Sequence, residues 1–459
     1  MKTRRLFSLF FSALLLITLS STAWAADGDT GDWEVAAKAA LLIDPDSEEI
    51  LYARNIHERL YPASLTKIMT ASLVLEAVER GDLHLDTVLT ASEAAVTSIP
   101  ADGSNAGIKV GEELTVEQLL HCILVVSANE ACNILAEAVS GSVDAFVAAM
   151  NDKAAALGCE DTLFANTNGL QDANHYTTAW DMYLITRAAR THEDFMRICN
   201  TKFVEIPATN LSGARKYYTT NYLLSNYRAT GYLYSGAEGI KTGSTSDAGY
   251  CLVSSAQRSG RSLISIILGA ERVTLEDGSR QVQSFSETIK LFDWGFDHFS
   301  RQIILGSDEL IAEVPVTLSQ EVNSVRVHPA QEIERLIPDT IDPAVDIQRE
   351  WTFVSESVEA PVSRGQVLGQ ITLRCGDTVY ATVDLLADDD VSASRLLVFQ
   401  RDVLLFLQRP VVKITAAAAA GLILLLLVLR LVLRRRWRNR HYGGGYRGSG
   451  VGGYRGRRR

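Results

Sequence analysis

Tyr61-Pro62-Ala63-Ser64-Leu65-Thr66-Lys67-Ile68-Met69-Thr70-Ala71 is the stretch whose reading decides the fold. A proline ahead of a run without breakers predicts a helix start, and three-residue spacing on a helix puts Ser64 Oγ and Lys67 Nζ on one face. A serine hydroxyl beside an amine is a nucleophile beside a base. Alone the tetrad is cheap, because a chain of this length carries several Ser-x-x-Lys sequences that serve as helix caps or solvated lysines. The apolar residues that follow, Ile68, Met69, Ala71 and most of 73–78, predict a buried central helix.

Upstream, the apolar run 39–43, a polar turn at Pro45-Asp46-Ser47-Glu48 and Ile50-Leu51-Tyr52 predict a strand hairpin. Residues 85–117 read as loops and short strands. They end at Thr115 before Val116-Glu117-Gln118, a capped helix start. Helical patterns dominate to about residue 200. From 239 the pattern turns to strands at 239–242, 250–256 and 263–268, with turn chemistry at Gln257-Arg258-Ser259-Gly260 and a closing helix over 284–299. Strands at both ends of a helical middle predict an α+β fold whose first and last strands are neighbours, with helices packed on the sheet. Short alternating segments then run from 300 to 390 and predict a small all-β sandwich without a catalytic constellation.

At 459 residues, with 47% hydrophobic and 22% charged content, the chain has room for two or three domains. Its net charge of −11 hides an asymmetry. Residues 430–459 hold eleven arginines and no acid, and Lys2, Arg4 and Arg5 open the chain; without those fourteen positive charges the rest carries −25. So acidic a body excludes nucleic acid as its partner. Cys122, Cys132, Cys159, Cys199, Cys251 and Cys375 form no CxxC pair and no cluster with histidine at metal spacing. They read as buried thiols; a Cys122–Cys132 disulfide is compatible with export, but a core of this size does not need one. No cofactor or metal is implied.

The ends address the chain to a membrane. Residues 1–25 have a basic start, an apolar run and Ala23-Trp24-Ala25, the pattern of a secretory signal peptide. Residues 411–433, flanked by Lys413 and Arg430, reach the length of a membrane span, and 392–409 form an amphipathic interfacial segment before it. Arginines over 434–440 predict a body outside the cytoplasm and a tail, 434–459, inside. The Gly/Tyr/Arg composition of the tail's end predicts disorder, either a solvated stop-transfer end or a contact for RNA or anionic lipid.

Two further motifs give the tetrad its meaning. Ser127-Ala128-Asn129 lies between an apolar run and a helical one, and Lys241-Thr242-Gly243 lies on the first late strand. Ser-x-x-Lys, Ser-x-Asn and Lys-Thr-Gly in that order form the set of penicillin-interacting serine enzymes. The chain resembles the D-alanyl-D-alanine carboxypeptidases among the low-molecular-mass penicillin-binding proteins. The likeness covers about 35–395 and is most specific in 61–71, in Asn168-Gly169-Leu170 with His175-Tyr176-Thr177-Thr178-Ala179, and in 239–253.

The resemblance implies a β-lactamase-like peptidase domain over 33–299, with a helical subdomain, then a β domain over 300–390 and the C-terminal anchor. It implies removal of the terminal D-alanine from peptidoglycan stem pentapeptides through an acyl-enzyme on Ser64, and covalent inhibition by β-lactam antibiotics. Lys67 would be the general base and Ser127 a proton relay, while Asn129 would hold the substrate carbonyl. Lys241 and Thr242 would take the terminal carboxylate, with Gly243 letting the strand approach the substrate; the N–H groups of Ser64 and Ser244 would form the oxyanion hole. Burial and the like charge of Lys241 would favour neutral Lys67.

Ala128 stands where the family usually has glycine, and Arg280 is the nearest arginine upstream of Trp294-Gly295-Phe296 for a carboxylate-holding role. His175 reads as a structural hydrogen-bonder and Asn221 as a turn residue. The alternatives are a class A-like β-lactamase, whose deacylating glutamate is nearly matched by Glu160-Asp161-Thr162-Leu163-Phe164, a D,D-endopeptidase on the same residues, and a non-catalytic wall-binding protein.

Overall fold

The computed structural model describes residues 34–100 and 103–441, with side chains as far as Trp437. The segment read as a signal peptide and residues 442–459 of the tail lie outside the described residues.

Ala39–Ile43 (β1) and Ile50–Arg54 (β2) form the expected hairpin, closed by the Asp44 carboxylate accepting from the N–H of Asp46 at 2.8 Å and Ser47 at 3.1 Å. Ala237–Thr245 (β3), Gly249–Arg258 (β4) and Arg261–Ala270 (β5) complete a five-stranded antiparallel sheet in the order β2-β1-β5-β4-β3. First and last strands are neighbours, with Ala39 opposite Leu268. Between β4 and β5, Ser259 and Gly260 both take positive φ (52° and 80°), the primed turn that matches strand twist. β3 is longer than the expected 239–242, because its pairing with β4 continues to Thr245.

Side chains alternate across β1 with the strand period of two. Ala39, Leu41 and Ile43 join one core cluster with Ile68 and Met69, while Ala40 and Leu42 join the other with Leu291, Phe292 and Trp294. The sheet is therefore covered on both faces. One cover is the helix Lys67–Glu79 (α1), with ten of thirteen residues buried. Val116–Val125 (α2), opened by a capping box between Thr115 and Gln118, and Asn129–Ser140 (α3) contribute to the same cluster. The other cover is Gln283–Asp297 (α4), which stops short of the expected residue 299 because Phe299 opens the next strand.

Contacts divide the chain into two compact units. The first runs through Gly306 and includes Gln331–Glu350 and Thr372–Thr382; the sequence reading placed the boundary at 299/300, but the strand Phe299–Leu305 pairs with Ile333–Pro338. The second comprises Ser307–Ala330, Trp351–Ile371 and the chain from Val383 onward. Within it Ala312–Thr317 pairs antiparallel with Ser324–Pro329 and parallel with Val358–Glu359, burying Val314, Val316, Val325 and Val327. Arg395–Gln408 (α5), capped by Ser394, and Pro410–His441 (α6) follow. Over Pro410–Trp437, α6 is long and apolar enough to cross a membrane, and no residue of that window is buried.

Candidate active site

Ser64 lies in a single 3-10 turn, Ala63–Thr66, and α1 begins only at Lys67. The helix start inferred from Pro62 is thus a turn later than expected, because Ala63 adopts a left-handed φ of 48°. Residues three apart eclipse in a 3-10 turn, so the pair still meets: Lys67 Nζ donates to Ser64 Oγ at 2.9 Å. The same amine donates to Asn129 Oδ1 at 2.7 Å and to the Asn168 carbonyl at 2.6 Å, using all three donors of an ammonium. Lys67 is fully buried, and burial lowers its pKa from 10.5 to about 8.

The bond from Lys67 to Asn129 ties the second motif to the nucleophile turn. Ser127 carries the left-handed backbone there (φ 67°), whereas Ala128 sits at φ −63° as the residue before α3. Glycine's freedom is therefore not needed at position 128, and alanine fits. The Ser127 hydroxyl makes no hydrogen bond among the described residues, which leaves it available to a substrate.

The third motif approaches from β3. Lys241 is buried, and its Nζ donates to the Thr242 carbonyl at 2.9 Å. Burial, then the repulsion of Lys67, lowers its pKa to about 7; at Lys67 itself burial is the lowering cause, opposed by Cys132 and Glu130. Thr242 Oγ1 is 2.7 Å from Thr220 Oγ1, and Ser244 is exposed next along the strand. A Cβ at Gly243 would stand 2.9 Å from the Pro62 carbonyl oxygen and 3.1 Å from Ser64 N. Its glycine is thus required to seat β3 against the nucleophile turn, which differs from the expected reason of substrate approach.

Several partners carried no assigned role in the sequence reading. The Asn168 carbonyl is one; backbone atoms leave no residue-type signal. Gly169 is another, since a Cβ there would lie 1.8 Å from the Ala63 carbonyl oxygen. His175 is a buried hydrogen-bonder: its Nδ1 accepts from Ala165 N–H at 3.0 Å and its Nε2 lies 2.7 Å from Thr66 Oγ1. Asn221 closes its turn through Leu223 N–H, and its Nδ2 also donates to the Gly239 carbonyl at 2.5 Å, anchoring the root of β3. Arg280 is exposed on a short hairpin, paired with Thr274 through the backbone, and its side chain makes no hydrogen bond or ion pair among the described residues. Glu160, the near match to a lactamase glutamate, is exposed and hydrogen-bonds to none of these groups. All six cysteines are free; Cys122 and Cys132 are buried thiols, while Cys159 and Cys375 are partly exposed.

A half-buried serine beside a buried lysine, closed by an Asn from one side and a Lys-Thr-Gly strand from the other, is built for acyl transfer. Comparison with known families bears on which. The family model "D-alanyl-D-alanine carboxypeptidase" matches residues 23–272. The chain belongs to the D-alanyl-D-alanine carboxypeptidase family. Residues 317–393 match the model "Penicillin-binding protein 5, C-terminal domain". Carboxypeptidase DacF of Bacillus subtilis is 30% identical over 398 residues, 86% of this chain and 97% of its own. DacC of Escherichia coli is 30% identical over 362 residues, 78% of this chain and 84% of its own. Among solved structures, penicillin-binding protein 5 of Haemophilus influenzae superposes with a TM-score of 0.60 at 30% identity, covering 79% of this chain and 99% of that one. DacD of Francisella tularensis gives 0.64 at 26% identity, with coverages of 79% and 95%. The enzyme is a serine D-Ala-D-Ala carboxypeptidase, a low-molecular-mass penicillin-binding protein whose C-terminal apolar helix is compatible with membrane anchoring.

Proposed function

We propose that Ser64 is the acylated nucleophile and Lys67 the base that activates it. The observation that carries this reading is the 2.9 Å bond from the buried Lys67 amine to Ser64 Oγ, with burial bringing that amine's pKa down to about 8. Neutral Lys67 takes the Ser64 proton as Oγ attacks the carbonyl of the penultimate D-alanine. The C–N bond breaks, and Ser127 relays a proton to the departing D-alanine amine. Water then hydrolyses the ester and regenerates Ser64. Asn129, held through its Oδ1, has its amide N–H₂ left to donate to a substrate carbonyl. Lys241 and Thr242 bind the terminal carboxylate, Gly243 keeps β3 close, and the N–H groups of Ser64 and Ser244 receive the oxyanion.

β-Lactams enter the same path as acylating inhibitors of Ser64. The stem pentapeptide of peptidoglycan is met outside the cytoplasm after export directed by residues 1–25. The body, a peptidase domain followed by a β domain, is held at the bilayer by 411–433 with the interfacial helix 392–409 before it, and the basic segment 434–459 lies inside. The test is release of D-alanine from a pentapeptide by the purified full chain and by Ser64→Ala. Wild-type release with none above background from Ser64→Ala supports the reading; equal release sinks it. Mass analysis of muropeptides after digestion separates terminal trimming from cleavage of cross-links.

A further inference from the structure

His175 is a buried titratable group that hydrogen-bonds to the nucleophile turn and that this mechanism leaves unused. Its bonds form a directed chain. Ala165 N–H donates to Nδ1 at 3.0 Å, so the ring proton is on Nε2. Nε2–H then donates to Thr66 Oγ1 at 2.7 Å, and the Thr66 hydroxyl donates to the Ala63 carbonyl oxygen at 2.8 Å. That carbonyl belongs to the same planar peptide unit as Ser64 N–H. Fixing the oxygen on one side therefore fixes where the N–H points on the other.

The peptide needs fixing. Ala63 holds a left-handed φ of 48° without being glycine, a conformation an alanine keeps only when its surroundings impose it. Gly169, with no Cβ, packs directly on the same carbonyl oxygen, close to Thr66 Oγ1. We infer that His175, acting through Thr66, is a positioning residue that aims the Ser64 backbone N–H as the oxyanion donor. The inference rests on Ser64 being the acylated residue.

The chain has one workable polarity. Protonated His175 would turn Nδ1 into a donor facing the Ala165 N–H, and the relay would lose its anchor. Burial, with Lys67 adding to it and Asp172 opposing, pushes the His175 pKa down to about 4, so the ring is neutral at the pH of cell-wall chemistry. The edge of the Phe164 and His175 rings, with centroids 5.6 Å apart, closes the pocket with an uncharged wall.

The experiment is acylation of the full chain by a fluorescent penicillin, with the labelled residue mapped by mass spectrometry and rate and pre-acylation affinity separated by varying its concentration. Thr66→Val is expected to slow acylation about 10- to 100-fold, part of the effect of a lost oxyanion donor, with the pre-acylation affinity unchanged. Thr66→Ser, which keeps the hydroxyl, is expected to stay within about threefold of wild type. His175→Asn should lose a similar factor, and the double variant with Thr66→Val no more than either single change. Thr66→Ala is read in place of Thr66→Val if the latter does not fold by circular dichroism. Wild-type rates in folded Thr66→Val, a serine variant as slow as the valine one, or additive losses in the double variant overturn the inference. A label outside Ser64 in the wild type overturns the underlying reading instead.

Discussion

Lys67→Arg separates the charge of Lys67 from its basicity. A guanidinium can still donate toward Ser64, Asn129 and the Asn168 carbonyl, but it does not lose its proton in a protein. With the amine's pKa at about 8, roughly a quarter of wild-type molecules carry neutral Lys67 at pH 7.5, against about one in a thousand for an ordinary lysine at 10.5. The net shift, burial outweighing Cys132 and Glu130, thus makes the base roughly 200-fold more abundant. Loss of a general base costs about 10²- to 10⁴-fold, and Lys67→Arg is expected to lose that factor above pH 8, where wild-type Lys67 is neutral, and to show no rise with pH. The assay is the acylation rate at saturating fluorescent penicillin from pH 6 to 9. Wild-type rates should climb about tenfold per unit below pH 8 and flatten above it. Saturation matters because Lys241, whose pKa lies at about 7, titrates across the same range and affects carboxylate binding. An arginine variant within tenfold of wild type above pH 8, or a wild-type rate flat from pH 6 to 8, would refute a basic role for Lys67.

Gly169→Ala puts a Cβ onto the Ala63 carbonyl oxygen at a φ of 86°, and is expected to lower the unfolding free energy by about 3 kcal/mol and penicillin labelling at least 10-fold. A normal melting temperature would show that the turn yields. Lys241→Met replaces a buried amine with an apolar chain of similar length. It should abolish carboxylate binding, seen as loss of pentapeptide turnover, yet raise stability at pH 7 by on the order of 2 kcal/mol. The sign follows from a folded pKa of about 7 against 10.5 unfolded: the folded state disfavours the proton, so wild-type stability rises between those values and the variant's should not. His175 is depressed to about 4 from 6.5, so its neutral form contributes fully above pH 6.5 and loses on the order of 3 kcal/mol as pH falls to 4; denaturant melts of His175→Asn should lack that slope. Ending the chain after Gln408 is expected to move the enzyme from the membrane to the soluble fraction with pentapeptide activity intact. Continued sedimentation with membranes would argue against α6 as the anchor.

The chain's own residues determined the α+β class, the hairpin at its start, the five-stranded sheet's late members, the order of the three motifs and the apolar C-terminal helix. Each of these is written in local periodicity, turn chemistry or residue type, which act over a few positions. Tertiary structure decided what those rules cannot reach. Ser64 sits in a 3-10 turn because Ala63 is held left-handed by Thr66 of the same turn together with His175 and Gly169, two residues from far along the chain. Gly243 is demanded by the Pro62 carbonyl and Ser64 N of another element, and Lys67 is satisfied by a backbone oxygen at Asn168, to which no side-chain pattern points. A neutral Lys67 is expected from its motif, but only enclosure by the folded protein lowers its pKa to about 8, because the penalty on the charged form arises from water excluded in three dimensions.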